Sequence, residues 1–446
     1  MKAQSLLTSL LVWGVVVCHS SATALAETAP IPISAQWLND LVEEARTNNP
    51  GQIAATHRIK ASQANNDSIR TWDDPMFRVG GVISAAKKGG GHGMPASSGG
   101  PNLEEEGDLI YGAEQKLPLF GKAKLMRRVA LAETKTTEAE RDYQFQLLRR
   151  DLAQGVYDLA LAQESLRLSA TDVALLSKLT SLATDRYQTR TGSQIETLRI
   201  QAELAKRTNQ IETERKQIAQ IERALNRSLN RPLDHSWPQL SMPSLVPPMD
   251  QSSKFIAFAE KFEPKLKVLR ANAHQTEEQA NATRRQRLPD VTVGVEGRQF
   301  SGDAGFREGM FFVGLNLPWF NQGKYKADWK REKERAEAQR MEVVDYALAV
   351  RQELQRVLTI VDAARREALV YQDEIIPKTT QALDAAVAAW TTNQSPFSEL
   401  MELRRAINEA RIMFARAVIE QNRMIAELIT CCGLADLDSL NTLSNP

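Results

Sequence analysis

The residues able to carry out bond-making chemistry are few and scattered. Beyond the leader the histidines are His57, His92, His235 and His274, and none stands at the spacing of zinc ligands or of a nucleophile and its base. His92 with Met94, and the Cys431-Cys432 pair, are donors that a soft metal would accept. A glycine-rich loop and a near-terminal cysteine pair account for them equally well without one. Adjacent cysteines form at most a strained local bridge, so no disulfide framework follows. No catalytic, cofactor or metal residue is assigned, and the chain reads as a non-enzyme. Lys+Arg 56 against Asp+Glu 55 leaves no basic excess for nucleic acid.

What the sequence offers instead is a phrase written twice, LPLFGK at Leu117–Lys122 and LPWFNQGK at Leu317–Lys324. Pro118 and Pro318 cannot continue a strand ladder but suit a bend. Leu117, Phe120, Leu317, Trp319 and Phe320 then fall where aromatic and apolar side chains collect between hydrocarbon and water. Basic residues follow: Lys122, Lys124, Arg127 and Arg128, then Lys324, Lys326, Lys330, Arg331, Lys333 and Arg335. Positive charge at a helix start opposes the helix dipole. Anionic lipid headgroups would supply a partner, and a solvated charged face is the plainer alternative. Both elbows are assigned to a membrane interface.

The elements around the elbows repeat as well. The first copy, 27–230, carries strands near 76–84 and 108–117, a long helix near 122–190 and a return helix near 194–229. The second, 251–432, carries strands near 290–300 and 309–317, a long helix near 324–391 and a return helix near 396–430. A proline-rich linker, 231–250, joins them, and 433–446 is a tail. Shorter helices, near 35–70 and 253–287, precede the strands. Val291, Val293 and Val295 alternate with Thr292, Gly294 and Glu296, and Phe311, Val313 and Leu315 with Phe312, Gly314 and Asn316. One apolar face backed by glycine and charge suits a wall between lipid and a watery lumen.

Heptads run through the long helices, with Leu152, Leu159, Leu176, Val350, Leu354, Val357 and Val361 among the a and d positions. They predict helix-on-helix packing. A stretch from Lys122 to Arg190 spans roughly 100 Å at 1.5 Å per residue, and two shorter helices end to end would match it. Pro377 should kink the second long helix. At the far end, Ser193-x-x-Glu196 reads as a capping box, and Ser395-Pro396 as a serine cap with proline at the first helical position. At the start, Lys2, the apolar run Leu6–Val17 and Ala24-Leu25-Ala26 read as a signal peptide over 1–26. Bulky Val17 before Cys18 argues against lipidation.

With the elbows, the tip RYQTRTGSQIETL, its echo AAWTTNQSPFSEL and the IIP run at Ile375–Pro377, the chain resembles the TolC-type outer-membrane efflux proteins, including their heavy-metal branch. The resemblance covers essentially the whole mature chain. It implies a mainly α fold with a small membrane β-barrel: a homotrimer whose four strands per chain build one twelve-stranded barrel above a periplasmic helical tunnel. It also implies a periplasmic adaptor and an inner-membrane, proton-driven pump as partners, and outer-membrane lipid around the barrel. By resemblance Gly192, Ser193, Ser395 and Pro396 match the adaptor-docking tip. Asp185, Arg186, Arg190 and Glu399 are candidates for a gate closed by ion pairs, with solvated helix ends as the alternative. The expected function is passive conduction of small solutes or metal ions to the outside. A protein-secretion duct and a non-conducting periplasmic coiled-coil scaffold or adaptor are the rivals.

Overall fold

Proline decides where several helices begin in the computed structural model of the chain, which describes residues 30–69, 72–82, 108–117, 119–249, 252–300 and 305–434. The signal peptide with Cys18, the loop holding His92 and Met94, Pro118 and the tail from 435 lie outside the described residues. The stretch 35–70, read as one helix, is two: α1 (Ala35–Asn48) and α2 (Pro50–Ser68). Pro50 has no N–H to continue α1, and the Asn49 side chain caps the new start by accepting from the Gly51 and Gln52 amides. The stretch 253–287 breaks likewise into α5 (Ser252–Phe262) and α6 (Pro264–Arg285). There the buried Glu263 carboxylate accepts from the Leu266 amide.

The long helix α3 (Lys122–Gln188) has 67 residues, about 100 Å, and α4 (Gln194–Leu229) returns along it. The second long stretch starts earlier than 324, as α7 (Gln322–Val370), and resumes as α8 (Ile376–Thr391) after a π-helical turn at Tyr371–Ile375. Pro377 removes a ladder donor, and the wider turn just before it absorbs the loss. The return helix α9 spans Phe397–Cys431. Its N-cap is Pro396 rather than Ser395, and the Ser395 hydroxyl reaches the Glu399 carboxylate instead of a backbone amide.

The four strands, β1 (Met76–Val82), β2 (Asp108–Leu117), β3 (Val291–Phe300) and β4 (Phe306–Leu315), form one antiparallel sheet in sequence order. β4 begins and ends earlier than the 309–317 reading. Phe306 already pairs with Gln299 across an irregularity at Arg298/Gln299, and Pro318 opens a 3-10 turn, Pro318–Asn321. Residues 231–249 form an irregular strap rather than a loose linker. Trp237 and Leu240 are buried. Gln163 of α3 bonds Pro238 O and Leu240 N, and Gln421 of α9 bonds both backbone groups of Val246. The heptad positions Leu152, Leu159 and Leu176, with Val350, Leu354, Val357 and Val361, are buried between helices. Among the described residues no helix is long and apolar enough to cross a membrane.

Candidate functional site

Directly paired residues of an antiparallel sheet share a face, so the strand register sorts the side chains. One face carries Phe77, Val79, Tyr111, Ala113, Val293, Val295, Phe311, Val313 and Leu315. Phe77, Val79, Val295, Phe311, Val313 and Leu315 are each more than half exposed. The other face carries Arg78, Glu114, Glu296, Arg298 and Glu308. Arg78 meets Glu114 at 2.7 Å, and Arg298 meets Glu308 at 3.1 Å. Two glycines on β3 make room for rings: a Cβ on Gly294 would stand 2.3 Å from the Phe312 ring, and one on Gly297 3.0 Å from the Tyr111 ring. The outer strands β1 and β4 each keep one unpaired edge within the chain.

At the elbows, Leu317, Trp319 and Phe120 are exposed, Phe320 is 83% exposed, and Pro318 is buried. Leu117 is half-buried. Lys122 has a carboxylate partner within the chain: its Nζ donates to Asp290 Oδ1 and Leu288 O, both at 2.7 Å. Burial pushes the Asp290 carboxyl up, yet Lys122, with Lys116 at 3.7 Å, outweighs it and holds the group below its ordinary value. A depressed carboxyl contributes stability that is present above its unfolded pKa and lost as pH falls through the folded one. Asp290→Asn is therefore expected to cost about 1 kcal/mol at neutral pH and to flatten the acid limb of stability below about pH 4. Melts from pH 3 to 7 check this; parallel curves for variant and wild type would contradict it.

At the far end the chain reverses twice through residues at positive φ, Arg190 (61°) and Asn393 (60°). The Thr191 and Gly192 amides close the first turn on Arg186 O, and the Gln394 amide closes the second on Ala389 O. Ser193 caps α4 by accepting from Ile195 N at 3.2 Å. Of the four charged residues near the tip, the structure draws Arg186 inward. Its guanidinium lies 4.5 Å over the ring of the buried Trp390 and donates to Trp390 O, Asn393 Oδ1 and, at 3.3 Å, Thr191 O. One side chain thus bolts the two turns together. Glu399 is occupied by Ser395, while Asp185 and Arg190 form no ion pair among the described residues. Arg186→Ala is expected to speed hydrogen exchange at 189–193 and 392–394 and to cost about 1–3 kcal/mol. Unchanged exchange would show that the turns hold without it.

Residues 41–231 match the model of a family described as "Outer membrane efflux protein". Over those residues, fewer than half of the chain, it is similar to that family. A comparison with curated proteins returns no match. Among solved structures, the chain is similar to the outer membrane protein VceC of Vibrio cholerae, at 16% identity and TM-score 0.73 over 90% of this chain and 99% of that one. It is also similar to CusC, a transmembrane channel, at 16% identity and TM-score 0.74 over 92% and 96%. The Campylobacter jejuni CmeC outer membrane channel aligns at 14% identity and TM-score 0.72 over 99% and 98%. At these identities the likeness shows the fold.

The chain also holds a group that the sequence reading did not single out. Asp172 of α3 sits with its side chain only 2% exposed. Arg404 of α9 donates to both its oxygens at 2.6 and 2.7 Å, and Arg207 of α4 donates at 2.8 Å. Glu203 extends the group to Arg404 and Arg405. The signal was present: Asp172 stands three residues after Ser169 and four before Leu176, both heptad positions, and so shares their face. The cysteines are a different matter. Burial pushes both thiols up to about 12, Cys431 with help from Glu427. At neutral pH both are therefore protonated thiols rather than reactive thiolates. Among the described residues no group of three His, Cys, Asp or Glu side chains is placed to hold a metal.

Proposed function

We propose that this chain is an outer-membrane efflux protein, the exit duct of a tripartite efflux system. Three copies would close one twelve-stranded barrel in the outer membrane, above a periplasmic tunnel built from the long helices. The observation that carries this reading is the sheet: exposed apolar side chains on one face, paired charges on the other, and an unpaired edge at β1 and at β4. Four strands cannot enclose a lumen, since membrane barrels need about eight or more, and backbone edges are not tolerated facing lipid. Pairing β4 of one copy with β1 of the next satisfies both requirements. The exposed stripe Met341, Val344 and Leu348 on α7 supports helix contacts between copies.

In this reading the tip turns, including Gly192, Ser193, Ser395 and Pro396, dock a periplasmic adaptor that links the duct to an inner-membrane, proton-driven pump. Asp185 and Arg190 remain the charges free to form a gate with neighbouring copies, with Glu399, held by Ser395, as a third candidate. Arg186, committed within its own chain, serves as a brace. The cargo is a small solute or metal ion passed on by the pump. The test is to extract the protein from outer membranes in mild detergent and measure particle mass and shape. A trimer carrying a hollow cylinder roughly 100 Å long, with single-channel conductance in bilayers, is expected. A membrane-free monomer or dimer would leave the coiled coils as a scaffold.

A further inference from the structure

The two elbows are not equivalent. Beside the second, a cleft of about 290 Å³ is lined by Arg284 and Arg287 from the end of α6, Trp319 from the 3-10 turn, and Tyr325, Lys326 and Trp329 from the first turns of α7. Its charged lining is wholly cationic. Arg284 lies 5.7 Å over the Trp329 ring. Among the described residues Arg284, Arg287 and Lys326 form no ion pair, unlike Lys122 at the first elbow. Aligning the two phrases on Leu-Pro-x-Phe puts Leu119 opposite Trp319, and aligning them on Gly121-Lys122 and Gly323-Lys324 puts Ala123 and Arg127 opposite Tyr325 and Trp329. The first copy thus lacks all three aromatic walls.

We infer that this cleft binds the phosphate headgroup of an anionic phospholipid, one per protomer, at the second elbow only. The inference rests on the outer-membrane reading above, which puts the elbow level with the headgroups. Three cations without carboxylate partners supply the charge that a phosphodiester needs. Trp319 and Trp329, each partly exposed, are amphipathic rings suited to the layer between glycerol and water. The apolar sheet face begins within a few residues, at Leu315 and Val313, so acyl chains leaving the cleft would meet hydrocarbon-facing side chains. A free phosphate would use the same cations but gain nothing from that continuity.

The test uses the full mature protein, purified in a neutral detergent and titrated with phosphatidylglycerol, phosphatidylcholine or inorganic phosphate under native mass spectrometry. Retention of one phosphatidylglycerol per protomer, with phosphatidylcholine and phosphate at least tenfold weaker, is expected. Each cation near an anionic lipid contributes about fivefold, so the triple variant Arg284→Gln/Arg287→Gln/Lys326→Gln should weaken phosphatidylglycerol about a hundredfold. Lys124→Gln/Arg128→Gln at the first elbow should leave it unchanged. Trp329→Leu, which removes an aromatic wall and keeps all three cations, guards against a misfolded triple variant; it should weaken retention while the helical circular dichroism stays intact. Wild-type affinity in both the triple and the Trp329 variant would overturn the site. Equal binding of inorganic phosphate would overturn the lipid assignment. Protein that fractionates with outer membranes yet retains no anionic lipid sinks this inference alone, whereas protein absent from membranes sinks the duct reading with it.

Discussion

Arg404→Ala is expected to destabilise the protein by about 3–5 kcal/mol, the usual cost of stripping one partner from a buried ion pair. The size follows from what is left behind. Asp172 would keep only Arg207 at 2.8 Å, with its other oxygen facing protein instead of water. Asp172→Asn should cost a similar amount, for it leaves Arg404 and Arg207 as like charges around a neutral amide. The paired change Asp172→Leu/Arg404→Leu should recover much of the loss, because buried pairs exchanged for apolar side chains are often neutral or better. Thermal melts in detergent of the two single variants and the double variant decide it. If Arg404→Ala melts with wild type, the group is hydrated and weak. The group joins α3, α4 and α9, so the single variants should also loosen the helices on the sheet side of the tip. That makes them the variants to follow by conductance once a channel assay is available.

The strands were legible because a period of two leaves little choice of face, and the register confirms which side chains travel together: Val295 pairs with Phe311, and Val293 with Val313. The heptads gave the seam for the same reason. What escaped was polar. Asp172 went unmarked, because a lone acid in a heptad says nothing of the arginines arriving from α4 and α9, 35 and 232 residues away. Pro50 and Pro264 were legible as helix starts but were passed over in favour of length. For Lys122 the sequence left lipid headgroups and solvent as alternatives, because Asp290 lies 168 residues downstream, and only the sheet brings it near. The Arg186–Trp390 stack joins two turns that sequence treats separately. For Asp172, Lys122 and Arg186 the missing information was a partner, Arg404, Asp290 or Trp390, from the other half of the chain.

Neighbouring residues on β3 give the strongest test of the sheet, because Val295 and Glu296 point to opposite faces. Val295→Lys puts an ammonium into hydrocarbon near the middle of a ten-residue strand, where such a charge costs about 2–4 kcal/mol. Its expected result is a sharp loss of assembled, heat-resistant oligomer in outer membranes. Glu296→Lys changes more charge but faces water and the Arg298 and Arg78 side of the sheet. It should assemble, with its effect confined to ion selectivity, shifted toward anions as a negative side chain in the lumen becomes positive. Leu315→Lys, at the elbow end of β4, supplies the depth control, since the penalty falls to about 0–1 kcal/mol near the interface. Assembly is read by unheated gel electrophoresis of membrane fractions, and selectivity by reversal potential across a salt gradient. If Glu296→Lys blocked assembly while Val295→Lys did not, lipid and lumen would have to exchange faces. Equal tolerance of both would mean that neither face meets hydrocarbon, and the open edges at β1 and β4 would then need a partner other than a second copy of the chain.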